Sequence, residues 1–183
     1  MKVLLGVTGG IAVYKACELV RRLKDGEHEV TVVMTDSAAR FVTPLTFEVL
    51  SGRPVGTTLF DVDDPQIEHI KLARWPDCIA IAPATANTIG RIANGLADDL
   101  LSTVVMASRP EVPVIVAPAM NTMMWENPLV AANLDRLRDV DDGRRYRIVE
   151  PVAKELACGE IGVGGLADEA SILAAIVESS TTR

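Results

Sequence analysis

The chain has few histidines, cysteines and aromatic residues, and it has no long apolar run. Its 183 residues include 2 histidines, 3 cysteines and 4% aromatic side chains. Cys17, Cys78 and Cys158 are odd in number and widely spaced, which is neither a disulfide framework nor a metal-ligand pattern and indicates a reducing compartment. No run approaches the roughly 18 apolar residues of a membrane-spanning helix, and the apolar opening is too short for a signal peptide. We therefore expect a cytoplasmic protein with no membrane partner and no metal site.

Basic residues are fewer than acidic ones, 18 against 25, so the formal net charge is −7. Nucleic-acid binding needs clustered Lys and Arg, so this balance argues against a nucleic-acid partner. It does not exclude phosphate, which backbone N–H groups can bind without net positive charge. The length and the 49% apolar content are typical of one globular domain. We predict a single domain over residues 1–178 and a disordered tail over residues 179–183.

Buried-type strands alternate with helical patterns along the chain. Such alternation predicts an α/β fold with a doubly wound parallel sheet, whose ligands bind beyond the carboxyl ends of the strands. The predicted strands cover residues 3–7, 30–34, 78–82, 114–117 and 147–149, and the predicted helices cover residues 11–23, 85–93, 100–107, 128–137 and 169–178.

The first two strand-to-helix loops are candidates for binding phosphate. Residues 8–11 place a threonine and two glycines at a helix start, where backbone donors are exposed at the positive end of the helix. The third glycine of the dinucleotide fingerprint is missing, and a tight turn without a ligand is the alternative. Thr35 and Ser37 add hydroxyls at the next helix start, and we expect Asp36 to cap the helix or face solvent.

The next two loops carry small, polar and thioether side chains. Residues 83–88 could let a flat ring approach the backbone, although Thr85 also fits a simple helix cap. Residues 118–125 combine Asn121 with methionines and a tryptophan. Methionine and tryptophan more often fill cores, whereas an amide at a strand end suits oriented hydrogen bonding.

A histidine and a glycine-rich segment complete the candidates. His69 lies between two isoleucines, a pattern more typical of a packed structural residue than of a catalyst. Residues 157–165 hold four glycines within seven positions close to Cys158, so we predict a mobile flap without regular structure. The alternative is a plain surface loop with a spare thiol.

Together these segments resemble the flavin-dependent cysteine decarboxylases, a family of homo-oligomeric flavoproteins. The matching segments are residues 8–12, His69, residues 83–88 and residues 118–125, where the family pattern P-x-M-N-x-x-M-W is complete. The resemblance covers residues 2–167 and implies a flavodoxin-like three-layer fold. It also implies bound FMN at contacts between subunits, in trimers or in dodecamers built from trimers.

The resemblance implies roles for particular residues. FMN would lie with its phosphate near the first two loops and its ring against the third, and it would oxidise a cysteine to a thioaldehyde that then loses CO₂. His69 would act as the base or orienting group, and Asn121 would hold the substrate carboxylate beside Ala119 and Met124. The implied cofactor-binding residues are Thr8, Gly9, Gly10, Ile11, Thr35, Ser37, Pro83, Ala84, Thr85, Ala86, Asn87 and Ser102.

Cys158 distinguishes between branches of the family. Enzymes acting on phosphopantothenoylcysteine carry the pattern A-C-G-[DE]-x-G, whose cysteine protonates the enethiolate, and residues 157–162 match it. Relatives that decarboxylate the C-terminal cysteine of a ribosomal peptide generally lack that cysteine, and this peptide activity is the alternative function. A non-catalytic flavoprotein regulator is a third interpretation. Residues 164–167 read G-G-L-A, a departure from the more usual G-[RA]-M-A of the flap.

Overall fold

The computed structural model describes residues 1–60, 68–155, 159 and 161–179, and its centre is a five-stranded parallel sheet. The strand order is β2-β1-β3-β4-β5, the flavodoxin-like order, in which the direction of winding reverses between β1 and β3. The predicted doubly wound α/β fold is confirmed. The strands are β1 (Lys2–Val7), β2 (Glu29–Met34), β3 (Cys78–Ala84), β4 (Val114–Pro118) and β5 (Tyr146–Ile148).

Helices connect the strands and cover both faces of the sheet. Three short helices, α3, α4 and α7, were not predicted, and α2 was predicted only as a helix start at residues 35–37. The described helices are α1 (Val13–Asp25), α2 (Asp36–Ala39), α3 (Pro44–Ser51), α4 (Glu68–Arg74), α5 (Ala86–Ala93), α6 (Leu100–Ala107), α7 (Thr122–Trp125), α8 (Pro128–Asp139), a 3-10 turn (Val140–Gly143) and α9 (Glu169–Glu178).

Two apolar cores lie on opposite faces of the sheet, which makes the domain three-layered. On one face, Leu19 of α1, Phe47 of α3 and Ile172 of α9 are buried against alternate residues of the central strands. On the other face, Leu101 of α6 and Leu134 of α8 are buried in the same way. Each such side chain contributes about 1.5–3 kcal/mol through burial, so the layers hold the loop ends of the strands in fixed positions.

The glycine-rich segment contains regular structure, so its prediction as a flap without regular structure is wrong for residues 161–165. These residues form β7 (Ile161–Gly165), which pairs antiparallel with β6 (Val152–Glu155). The glycines serve close packing: a Cβ on Gly162 would lie 2.1 Å from Thr122 Oγ1, and one on Gly164 would lie 2.3 Å from the carbonyl oxygen of Met120. Cys158 and the rest of that segment, residues 157 and 160, lie outside the described residues, whereas Gly159 is described at a positive φ of 81°.

Ser179, which the sequence analysis assigns to the tail, belongs to the folded domain. It is the C-cap of α9, and its hydroxyl donates to the carbonyl oxygen of Ile176 at 2.6 Å. Residues 180–183 lie outside the described part of the chain. None of the described helices has the length and apolar character required to cross a membrane.

Candidate active site

The buried hydroxyl of Thr8 ties the loop after β1 to the loop after β3. It donates to the carbonyl oxygen of Pro83 at 2.7 Å and accepts from the backbone N–H of Thr85 at 2.9 Å. Thr85 in turn caps α5 by accepting from the N–H of Thr88. Because the Thr8 side chain is fully buried and bonded in both directions, it sets the spacing of the two loops.

Two clefts open at this junction, beyond the carboxyl ends of the strands. One has a volume of about 590 Å³ and is mainly polar, and the other has about 610 Å³ and is mainly apolar. Gly9, Thr85, Ala86 and Met124 line both clefts, which are therefore neighbouring halves of one site. Of the other residues predicted from the sequence, Thr35, Ser37 and Asn87 line the polar cleft, and Gly10, Ile11, Ala119 and Asn121 line the apolar cleft.

At Gly9 the first loop lies in close contact with α2. A Cβ on Gly9 would lie 2.3 Å from Ser37 Cβ and 2.7 Å from the Ser37 carbonyl carbon, so only glycine permits this approach. The adjacent Gly10 is different, because its Cβ would meet nothing closer than Thr85 Cγ2 at 3.8 Å. The sequence pattern treats the two glycines alike, and the structure separates them.

An ion-pair cluster surrounds the far side of the polar cleft. Arg91 on α5 contacts Asp98 (Nε to Oδ1, 3.0 Å) and Asp99 (Nη1 to Oδ2, 2.5 Å). Asp99 also caps α6, since its Oδ1 accepts from the Ser102 N–H at 2.7 Å and from the Ser102 hydroxyl at 2.8 Å. Arg91 thereby offsets two carboxylates that would repel a phosphate. The third, Asp36, is exposed, and Thr35 rather than Asp36 caps α2.

Asn121 presents hydrogen-bond donors to the apolar cleft. Its side-chain oxygen accepts from the Met124 N–H at 2.8 Å and caps α7. Among the described residues none accepts from the two N–H bonds of the amide, which can therefore donate to a ligand. The Met120 N–H donates to the carbonyl oxygen of Gly164 at 2.9 Å, which fastens the β6–β7 hairpin to this loop. The arrangement places a neutral donor beside thioether and aliphatic walls.

Several predicted residues lie behind the clefts or away from them. Thr8, Pro83, Ala84 and Ser102 are buried and line neither cleft, so their proposed cofactor contact stays a prediction. His69 is half-buried on α4, which packs against α6, and it lines neither cleft of its own chain.

Two lysines that the sequence analysis did not single out line the apolar cleft. Lys15 lies on α1 and Lys154 on β6, a strand that the sequence did not predict. Burial and the neighbouring charge of Lys15 lower the pKa of Lys154, and Glu169 acts in the opposite direction. No sequence pattern relates these two positions, because only the folding of the β6–β7 hairpin beside α1 brings Lys154 to the cleft that Lys15 lines.

The two clefts lie where the strand order reverses, between β1 and β3, and Gly9 and Asn121 line them. Clefts at this place in an open α/β sheet are typical of ligand-binding proteins of the flavodoxin-like class. The model of the Flavoprotein family matches residues 1–181, and the chain belongs to this family. The family resemblance inferred from the sequence motifs is confirmed.

Curated relatives include one of similar length and one longer protein. The chain is 43% identical over 178 residues to a "Probable phosphopantothenoylcysteine decarboxylase" of Streptococcus mutans, covering 97% of each chain. It is 48% identical over 172 residues to the "Coenzyme A biosynthesis bifunctional protein CoaBC" of Bacillus subtilis, covering 93% of this chain. It spans only 41% of that longer relative.

Solved structures with the same fold include two decarboxylases. A PPC decarboxylase mutant complexed with pantothenoylaminoethenethiol superposes with a TM-score of 0.83 at 33% identity, covering 97% of this chain and 96% of the other. The FMN-dependent cysteine decarboxylase SpaF gives a TM-score of 0.83 at 32% identity, covering 100% and 98%.

Proposed function

We propose that the chain is an FMN-dependent decarboxylase that acts on the carboxylate of an N-acylated cysteine. The proposed substrate is 4'-phosphopantothenoylcysteine and the product is 4'-phosphopantetheine, a step of coenzyme A biosynthesis. The apolar cleft carries the proposal, because it places the Asn121 amide and Met124 beside the Gly9–Thr85 junction. The names of the Streptococcus mutans relative and of the PPC decarboxylase structure support the same reaction class.

The residues present fit FMN. The polar cleft offers the hydroxyls of Thr35 and Ser37 and the N-terminus of α5 to a phosphate, and the adjoining apolar cleft suits a flat ring. Gly9 and Ala86 carry the smallest side chains at the point where the clefts meet. When bound, FMN supplies the two-electron oxidation of the substrate cysteine.

Asn121 binds the substrate carboxylate through its amide N–H groups. A neutral amide orients the carboxylate without the strong attraction of an arginine, so it does not over-stabilise the group that must leave as CO₂. The apolar walls around Met124 and Ala119 exclude water from the reacting carbon. Orientation and exclusion of water are therefore the contributions of this chain at that position.

His69 acts on the cleft of a neighbouring subunit in a homo-oligomer. It lines neither cleft of its own chain, whereas the resemblance makes it the base. An apolar surface is available for such an assembly. Leu45 and Val49, one turn apart on α3, are 65% and 75% exposed, and Ile11 and Tyr14, which line the apolar cleft, are 58% and 61% exposed. Exposed apolar side chains at this density mark a surface that another chain covers.

Subunit complementation tests this assembly. His69→Asn and Asn121→Asp should each abolish decarboxylation, while a co-refolded mixture should regain activity because some clefts then combine a wild-type histidine with a wild-type asparagine. In a randomly mixed cyclic trimer about a quarter of the sites are intact by this counting. A mixture as inactive as its components, in a protein shown to exchange subunits, would place His69 and Asn121 in the same chain's site.

The substrate is tested by mass spectrometry of both candidates after incubation with the FMN-loaded protein. The proposal expects 4'-phosphopantothenoylcysteine to lose CO₂ alone, because the Cys158 thiol protonates the enethiolate before reduction. Turnover of only a cysteine-terminated peptide, with loss of CO₂ and two hydrogens, would support the alternative peptide activity. Turnover of neither substrate would favour the non-catalytic regulator.

A further inference from the structure

Gly165 leaves a path across β7 for the side chain of Lys154. A Cβ on Gly165 would lie 2.0 Å from Lys154 Cε and 2.7 Å from Lys154 Cγ, so the lysine stem lies directly against the glycine backbone. The Lys154 ammonium group then donates to the carbonyl oxygen of Leu166 at 3.1 Å. This hydrogen bond uses one of three N–H donors and anchors the charge at the wall of the apolar cleft.

A second cation lies beside the first. Lys15, half-buried on α1, lines the same cleft, and its charge together with burial lowers the pKa of Lys154. Bringing two ammonium groups together in a partly desolvated cleft is unfavourable without an anion between them. The observation therefore points to a ligand that carries negative charge at this place.

The described residues that line the apolar cleft include no aspartate or glutamate. Glu169, at the start of α9, is the acidic neighbour whose charge raises the pKa of Lys154, and it offsets only part of the positive charge. In a chain with a formal net charge of −7, two lysines without a carboxylate in the cleft form a local positive site. An anionic group of the substrate is attracted to this site, whereas the acidic remainder of the surface repels it.

We propose that Lys154 and Lys15 bind the phosphate of the substrate, and that Gly165 is the residue that admits Lys154 to the cleft. The inference rests on the proposed function, and it assigns to this chain a preference for phosphorylated N-acylcysteines over unphosphorylated ones. The carboxylate of the cysteine lies instead at the Asn121 amide, where charge would oppose the loss of CO₂. The two anions of one substrate are thus bound by different residues of the same cleft.

Gly165, which departs from the family pattern at residues 164–167, has a structural role. The more usual residue at position 165 is arginine or alanine, and either would displace the Lys154 stem from its present path. With glycine at this position, the cation that the hairpin contributes to the apolar cleft is Lys154 of β6. Gly165 and Lys154 act as a pair, so changes at the two positions should have related effects.

The test compares 4'-phosphopantothenoylcysteine with unphosphorylated pantothenoylcysteine on the FMN-loaded protein. Lys154→Met keeps the apolar stem and removes the charge, and it should raise KM for the phosphorylated substrate about ten-fold while KM for the unphosphorylated one changes less than about two-fold. Gly165→Ala should shift the same ratio in the same direction. Lys24→Met, at an exposed position of α1 that lines neither cleft, is the matched control and should change neither KM.

Each outcome has one meaning. Equal rises in KM for both substrates, or no change in either, would overturn the phosphate site and leave the proposed decarboxylation intact. The same KM for both substrates in the wild-type protein would also overturn the phosphate site and leave the proposed decarboxylation intact. Wild-type protein that processes neither would overturn the proposed function itself. If Lys154→Met fails to fold, the same comparison on Gly165→Ala decides, because its added methyl group displaces only a flexible side chain.

Discussion

Replacing Gly9 by alanine should destabilise the domain, and replacing Gly10 by alanine should not. The added Cβ at position 9 would lie 2.3 Å from Ser37 Cβ and 2.7 Å from the Ser37 carbonyl carbon. Ordinary carbon contacts begin near 3.5 Å, so the first loop and α2 would have to separate by about 1 Å. A backbone wall cannot rotate away as a side chain can.

The expected cost follows from this overlap. Forcing one extra carbon into a packed contact costs about 1–3 kcal/mol, which lowers Tm by roughly 2–4 °C per kcal/mol in a domain of this size. The Cβ of Gly10→Ala meets only Thr85 Cγ2 at 3.8 Å, an ordinary contact, so its free energy of unfolding should stay within about 0.5 kcal/mol of the wild type.

Urea unfolding of the FMN-free proteins, followed by circular dichroism, measures both values. FMN titration of Gly9→Ala should also show weaker binding, because the displaced first loop must return to its wild-type position when FMN binds. Each 1.4 kcal/mol of that cost should raise the dissociation constant about ten-fold. Equal losses of stability in the two variants, or a neutral Gly9→Ala, would refute the close approach between the first loop and α2.

Two further predictions concern the stability of the same scaffold. Asp99→Ala removes the cap of α6 and one partner of Arg91, and it should cost about 1–2 kcal/mol in urea unfolding. Asp98→Ala should cost under about 1 kcal/mol, because the Asp98 side chain is 60% exposed; equal costs would contradict the capping role. Burial raises the pKa of Cys78 from 9.0 to about 11, so the folded state keeps the thiol proton longer than the unfolded state and stability should fall as pH rises from about 9 to about 11. Cys78→Ala should flatten that part of the stability profile, and an unchanged slope would assign the loss to other groups.

Much of the fold could be predicted because its signals are local. Residues 3–7 are apolar without interruption, as a strand buried on both faces requires, and β1 is found at Lys2–Val7. The last helix was predicted at residues 169–178 and is found at Glu169–Glu178, after an Asp168 cap. The β6–β7 hairpin was missed because its glycines, which locally favour irregular chain, are required by packing against residues 120–122.

The sequence by itself determined the class of the sheet, the loops that carry chemistry and the family motifs, since each depends on neighbours along the chain. Only the tertiary structure decided which members of those motifs meet. It turned Thr8 inward to bond Pro83, placed Asn121 at a cleft and left His69 outside both clefts of its own chain. It also brought Lys15 of α1 and Lys154 of β6 to the same cleft. Contacts between distant segments depend on strand order and packing, which no local pattern encodes.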